Sequence, residues 1–249
     1  MRFIAPYSLI VGRSIPLHLH GDHLADLRGS GLTDDTIAAA GVYSLRPCDL
    51  KLFFSWRRGV PAEVETALAF PYQGGEFARI KLFPALDKMK YAQPPRTSAR
   101  LYIPVSVTAG PIYVCEGEKK TLAALQNGLN AIGVGGVWNW ISKSEPIDDL
   151  KLIEWDGRDV VIIPDSDVLN RRDLLNAIYA LGRELRSTGA AVFVAQIPQA
   201  DAKKVGLDDF LVSGREVREL QKVMLGDKVF RPAQFWYGRS KMKTVALAA

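Results

Sequence analysis

Four short apolar runs dominate the second half of this chain: PIYVC (111–115), NAIGV (130–134), DVVIIP (159–164) and AAVFVAQIP (190–198). Apolar runs of this length, without polar alternation, are strands buried on both faces, as in a parallel sheet. Parallel neighbours need crossover connections. EKKTLAALQNG, closed by Gly128, and the amphipathic NRRDLLNAIYALGRELRSTG, closed by Gly189, have the composition and glycine stop signals of helices. LDDFLVSG and REVRELQKVML also read as helical. The expected architecture is α/β: a parallel sheet with helices on both faces and right-handed crossovers.

The grammar upstream is different. Around residues 14–45, Leu24, Leu27 and Leu32 have roughly helical spacing, interrupted by Gly29 and Gly31, and Thr33-Asp34-Asp35 is placed to cap a short helix ending at Gly41. KLFFSW, ALAFPY and FARIKLF read as strands between Gly and Pro clusters. KYAQPPRTSARLYIP reads as an extended, Pro-rich linker. The expected division is a smaller N-terminal α+β subdomain (1–108), the α/β domain (109–213), and a C-terminal helix with a basic aromatic tail (214–249).

Charge follows that division. Lys+Arg against Asp+Glu is 13 to 9 over residues 1–108, 11 to 15 over 109–213 and 8 to 3 over 214–249. An acidic middle between basic flanks suits carboxylates that gather a cation while basic segments hold a polyanion. No apolar run approaches the ~20 residues of a membrane span, so no membrane partner is expected. The N-terminal stretch, broken by Pro6 and Gly12, does not read as a signal peptide. The two cysteines, Cys48 and Cys115, cannot supply a four-ligand zinc cluster or a disulfide framework, which fits a reducing cytoplasm.

Ligands of a parallel sheet bind at the carboxyl ends of its strands. Glu116 lies just past PIYVC, and Asp165 and Asp167 just past DVVIIP. In extended chain, residues two apart point the same way. Crowded carboxylates repel, and a divalent cation removes the conflict. Hard oxygen donors favour Mg²⁺ or Mn²⁺. The competing reading makes each aspartate a helix cap.

VCEGEKKTLAALQ, AIGVGGV and VVIIPDSD together resemble the TOPRIM domain shared by bacterial-type primases, topoisomerases and certain nucleases. The family pattern is a strand ending in Glu-Gly and a later strand ending in Asp-x-Asp. Glu116-Gly117 and Asp165-Ser166-Asp167 match it. The resemblance is nearest to primase-like TOPRIM proteins of plasmids, phages and other mobile elements. It implies a TOPRIM-type sheet over about 109–213, with Glu116, Asp165 and Asp167 as catalytic Mg²⁺ ligands. KVGLDDFL is similar to the acidic segment that ends the domain, which makes Asp208 an auxiliary metal ligand. Helix capping by Asp208 or Asp209 is the equal alternative. LAFPY, FARIK, KYAQPP and LY are similar to segments that precede the domain in bacterial-type primases. By that match Arg79, Lys81 and Lys90 would face nucleotide or template. Lys120 stands where cellular primases often carry an acid, a departure that fits the mobile-element branch. Lys119 and Lys120 also begin a helix, where a phosphate is attracted.

The resulting expectation is a primase-like nucleotidyltransferase that makes short primers on single-stranded DNA from nucleoside triphosphates. A metal-dependent nuclease using the same acids and a non-catalytic nucleic-acid-binding accessory protein are the alternatives. The GVGG run lacks the Lys and Ser/Thr of a phosphate-cradling GxxxxGK[ST] loop, so a helicase would be supplied separately. His18, His20 and His23 read as polar residues at a helix start rather than as metal ligands. Trp138, Trp140, Trp236 and Tyr237 are candidates for base stacking, and the alternation of Trp138 and Trp140 also suits half-buried packing. The tail aromatics lie among Arg231, Arg239, Lys241 and Lys243, which favours nucleic acid over the alternative of a C-terminal clasp docked on the body.

Overall fold

A computed structural model describes residues 19–54, 61–75, 77–87, 89–198, 204–226, 230 and 232. The chain forms two compact units, Met1–Thr97 and Ser98–Ala249.

In the first unit, α1 (Gly21–Gly29) starts at His20, whose ring nitrogen accepts from the Asp22 N–H. The helix α2 (Asp34–Ala39) starts at Thr33, whose hydroxyl accepts from the Thr36 N–H at 3.3 Å. Asp34 and Asp35 fill the first turn, where carboxylates oppose the helix dipole. Then come β1 (Tyr43–Leu45), α3 (Pro47–Phe54), β2 (Thr66–Pro71), β3 (Ala78–Leu86) and β4 (Met89–Ala92). The four strands pair antiparallel in the order β1-β2-β3-β4.

KLFF is therefore helical, against the expected strand. Pro47 occupies the first helical position, where its missing N–H costs nothing, and the Asp49 carboxylate accepts from the Arg46 N–H at 3.1 Å. These local start signals outweigh the strand-like composition. Residues 90–92, assigned to the linker, belong to the fourth strand.

The second unit holds β5 (Leu101–Tyr102), β6 (Ile112–Glu116), α4 (Glu118–Gln126), β7 (Ala131–Val134), the hairpin of β8 (Ile141–Ser142) and β9 (Glu145–Pro146), β10 (Asp159–Ile163), α5 (Arg172–Ser187), β11 (Ala191–Gln196), α6 (Leu207–Val212) and β12 (Gln221–Met224). Its main sheet runs β12-β11-β10-β6-β7-β5. The four inner strands are parallel, and β12 and β5 close the edges antiparallel.

Strand alternation sends Ile112, Val114, Val160, Ile162, Val192 and Val194 to one face, with Leu174, Ile178 and Leu181 of α5. Cys115, Val161, Ile163 and Ala195 face the other way, with Ala124 of α4 and Leu207 and Phe210 of α6. Each fully buried aliphatic side chain contributes about 1.5–3 kcal/mol. Burial on both faces explains why the sequence shows solid apolar runs.

Two expectations on the sheet edges fail. Because β5 pairs with β7, residues 98–108 go with the α/β unit. Gln221–Met224 of REVRELQKVML is a strand on the free edge of β11, not helix. Leu220 packs into the core on one face of the sheet and Leu225 into the core on the other. A helix would not divide them so, whereas an edge strand does. No helix among the described residues is long and apolar enough to cross a membrane.

Candidate active site

The parallel register brings the acids together. Cys115 of β6 lies opposite Ile163 of β10, so Glu116 and Asp165 emerge from adjacent strands at the carboxyl edge of the sheet. Pro164 has no N–H to continue the ladder. Gly117 turns the chain from β6 into α4 with φ +96°, a conformation that suits glycine, and its N–H donates to the Val134 carbonyl at 2.7 Å.

After Asp165 the chain enters a 3₁₀ turn, Ser166–Asn170, and not the extended stretch that would align Asp165 with Asp167. Asp165 stands at the cap position of that turn, yet its side chain makes no capping hydrogen bond. Its carboxylate is instead held by Lys120 through Oδ1, and Lys204 Nζ lies 2.5 Å from Oδ2. Asp165 is 2% exposed. Asp167 Oδ2 is 3.8 Å from Arg171 Nη1, and its Oδ1 is buried without a hydrogen-bond partner.

Lys204 arrives through a tie the sequence does not advertise. The Ser166 N–H donates to the Val205 carbonyl, and the Val205 N–H donates to Ser166 Oγ, each at 2.9 Å. Gly206 then passes so close that a Cβ there would lie 2.6 Å from Asp208 Oδ1, 2.7 Å from Lys120 Cε and 3.3 Å from Asp165 Oδ1. Asp209 is the residue that caps α6, accepting from the Gly206 N–H at 2.9 Å. Asp208 is buried and faces the approach of Gly206 to Asp165 and Lys120. Lys119 lies in the same first turn of α4 as Lys120 and is half-buried.

Burial raises the Glu116 carboxyl above its usual range, and the negative charge of Asp165 raises it further, against the pull of Lys120 and Lys204. Burial lowers the Lys204 ammonium, but its bond to Asp165 outweighs this and holds it above its ordinary value. Burial pushes the Cys115 thiol up to about 12, which leaves it unreactive. Among the described residues, no three His, Cys, Asp or Glu side chains stand close enough to hold a metal ion as they are placed. The donor chemistry nevertheless fits a hard cation. Its elements are carboxylates on adjacent strands, a buried acceptor on Asp167 that no donor satisfies, and a Glu116 burdened by its neighbour's charge.

The basic candidates of the first unit divide. Lys81 is 6% exposed and its ammonium is 2.5 Å from Asp26 Oδ1, which makes it part of that unit's framework. Arg79 stacks over Tyr91 at 4.6 Å, and Lys90 is exposed on β4. His23 is a core residue rather than a polar turn residue. Its two ring nitrogens contact Ser44 Oγ at 2.7 Å and Thr66 Oγ1 at 2.8 Å. Trp140 is fully buried and Trp138 packs against the same core. His18, Trp236, Tyr237 and the basic residues of the tail lie outside the described residues. Sequence reasoning missed Lys204, Gly206 and Arg171 as members of the acidic site. The only available signal was the position of Lys204 and Gly206 in KVGLDDFL.

Residues 105–217 match a family described as a domain of unknown function, DUF3854. No curated protein matches the chain in sequence. The Aquifex aeolicus primase (zinc-binding and RNA polymerase domains) superposes with a TM-score of 0.56 at 12% identity, over 82% of this chain and 57% of that one. A DnaG catalytic core gives 0.53 at 18% identity, over 86% and 73%. A DnaG primase catalytic domain bound to ssDNA gives 0.50 at 17%, over 86% and 77%. The fold is that of a bacterial primase catalytic core. At these identities the likeness concerns the fold alone, and the chain spans little over half of the Aquifex protein.

Proposed function

We propose that this chain is a primase-like nucleotidyltransferase, with a TOPRIM-type site that uses Mg²⁺ or Mn²⁺ to join nucleotides on single-stranded DNA. The observation that carries this reading is the emergence of Glu116 and Asp165 side by side from adjacent parallel strands, with Asp167 two residues on. The primase-core fold and the ssDNA-bound state of one structural neighbour support it.

Glu116, Asp165 and Asp167 would hold the cation, with Asp208 beside them. A cation there neutralises charge that builds on phosphate oxygens during phosphoryl transfer. The remaining work falls to the protein. Burial of Asp165 keeps water from competing for its oxygens, and the Ser166–Val205 tie fixes the turn that carries both aspartates. Lys120, with Lys119 in the same turn, places positive charge at the start of α4, where phosphate is favoured. Arg79 and Lys90 are the residues of the first unit suited to the template or nucleotide, whereas Lys81 is committed to Asp26.

The test is primer synthesis on single-stranded DNA with labelled nucleotides and Mg²⁺ or Mn²⁺. Short products from the wild type, absent from Asp165→Ala/Asp167→Ala, are expected. Template degradation without synthesis would replace this reading with a nuclease. Metal-independent DNA binding with neither activity would replace it with an accessory protein.

A further inference from the structure

Asp165 receives two ammonium groups, one at each oxygen of its carboxylate. We propose that Lys120 and Lys204 are exchangeable counter-ions, which neutralise Asp165 until a divalent cation takes its oxygens and then turn to the phosphates of the nucleotide. This rests on the metal-site reading above and goes beyond it by assigning Lys204 a role and both lysines an order of action.

Three observations support the exchange. The first is access. The Lys204 side chain is 51% exposed, so its flexible four-carbon stem can leave Asp165 without unpacking the core. Lys120 extends from the first turn of α4, directly across from Asp165.

The second is the shortage of donors around the acids. Lys204 reaches Asp165 Oδ2 as an ion pair, yet neither that oxygen nor Asp167 Oδ1, both buried, receives a hydrogen bond. Unpaired buried acceptors are costly in a site that serves only the fold. The two lysines thus leave the acids short of the positive charge they would accept.

The third is space. Gly206 places bare backbone against Lys120, Asp165 and Asp208, where any side chain would press on all three. The missing side chain leaves the room that the Lys120 end occupies beside Asp165. Ammonium groups act as point charges and suit phosphate oxygens at variable angles.

The exchange predicts opposite effects on two ligands. Mn²⁺ would be titrated into the full chain, with free Mn²⁺ followed by electron paramagnetic resonance. The comparison set is wild type, Lys120→Met, Lys204→Met and Asp165→Ala/Asp167→Ala. Binding of radiolabelled ATP at saturating Mn²⁺ would be measured on the same proteins, and thermal melting would confirm that each is folded. Each lysine variant should bind Mn²⁺ roughly tenfold more tightly and ATP roughly tenfold more weakly than the wild type. Lys204→Met, at a half-exposed side chain, keeps the test open if Lys120→Met does not fold. Unchanged or weaker Mn²⁺ binding in the folded lysine variants, or undiminished ATP binding, would overturn the exchange and leave the metal site standing. If the wild type binds no more Mn²⁺ than Asp165→Ala/Asp167→Ala, the metal site itself falls and the exchange with it.

Discussion

Each unit buries an aspartate against lysine, and the two arrangements differ in ways that separate framework from function. In the first unit Asp26 and Lys81 pair closely, with side chains 22% and 8% exposed, beneath a sheet anchored by the His23 contacts to Ser44 and Thr66. In the second, Asp165 meets Lys120 and Lys204 at the carboxyl edge of parallel strands, and the Lys204 side chain is 51% exposed. Both members of the first pair are largely buried. A carboxylate shared by two lysines, one of them open to solvent, can release one and keep the other. Burial of charge alone does not mark a functional site.

The largest effect that would break this comparison is on stability. Asp26→Ala leaves the Lys81 ammonium buried without its close carboxylate partner and should destabilise the fold by about 3–5 kcal/mol, measured by chemical denaturation. A loss within error would mean that the pair is not framework. Next comes chemistry. Glu116→Gln keeps the shape but removes one charge, and primer synthesis should fall by about 100-fold or more with little change in melting temperature.

The pH dependence of the first unit sharpens the contrast. Burial, and then the neighbouring His20, lower His23 from 6.5 to about 4, so it is neutral in the fold at neutral pH. Above 6.5 neither folded nor unfolded chain protonates it, and its contribution to stability is full. As pH falls from 6.5 towards 4 the unfolded chain binds the proton first, and stability drops by something on the order of 2–3 kcal/mol. His23→Gln should flatten that part of the pH–stability curve. The smallest expected effect is at Gly206→Ala. The clashing atoms are mostly side-chain ends, so the fold should lose only about 1 kcal/mol, yet displacement of Lys120 and Asp165 should lower primer synthesis measurably.

The same comparison shows what could be read before the structure. The buried strands of the α/β unit were legible because both-sided burial writes itself as unbroken apolar runs. Their order placed Glu116 and Asp165 at one sheet edge. KLFF and QKVM were not legible, because short apolar segments take their conformation from what adjoins them: Pro47 and Asp49 in one case, the open edge of β11 in the other. Lys81 sat in a segment that read as nucleotide-facing, but its role depends on Asp26, 55 residues away. Lys204 reaches Asp165 only because Ser166 and Val205 exchange hydrogen bonds across 39 residues. Local sequence carries strands and caps. Long-range polar pairing appears only once the chain is folded.

The most direct test compares Asp26→Asn with Asp165→Asn, assaying metal-dependent primer synthesis per folded molecule in both. Asp26→Asn should lower the melting temperature and keep the specific activity, whereas Asp165→Asn should abolish synthesis and still fold. Full synthesis by a folded Asp165→Asn protein would contradict this.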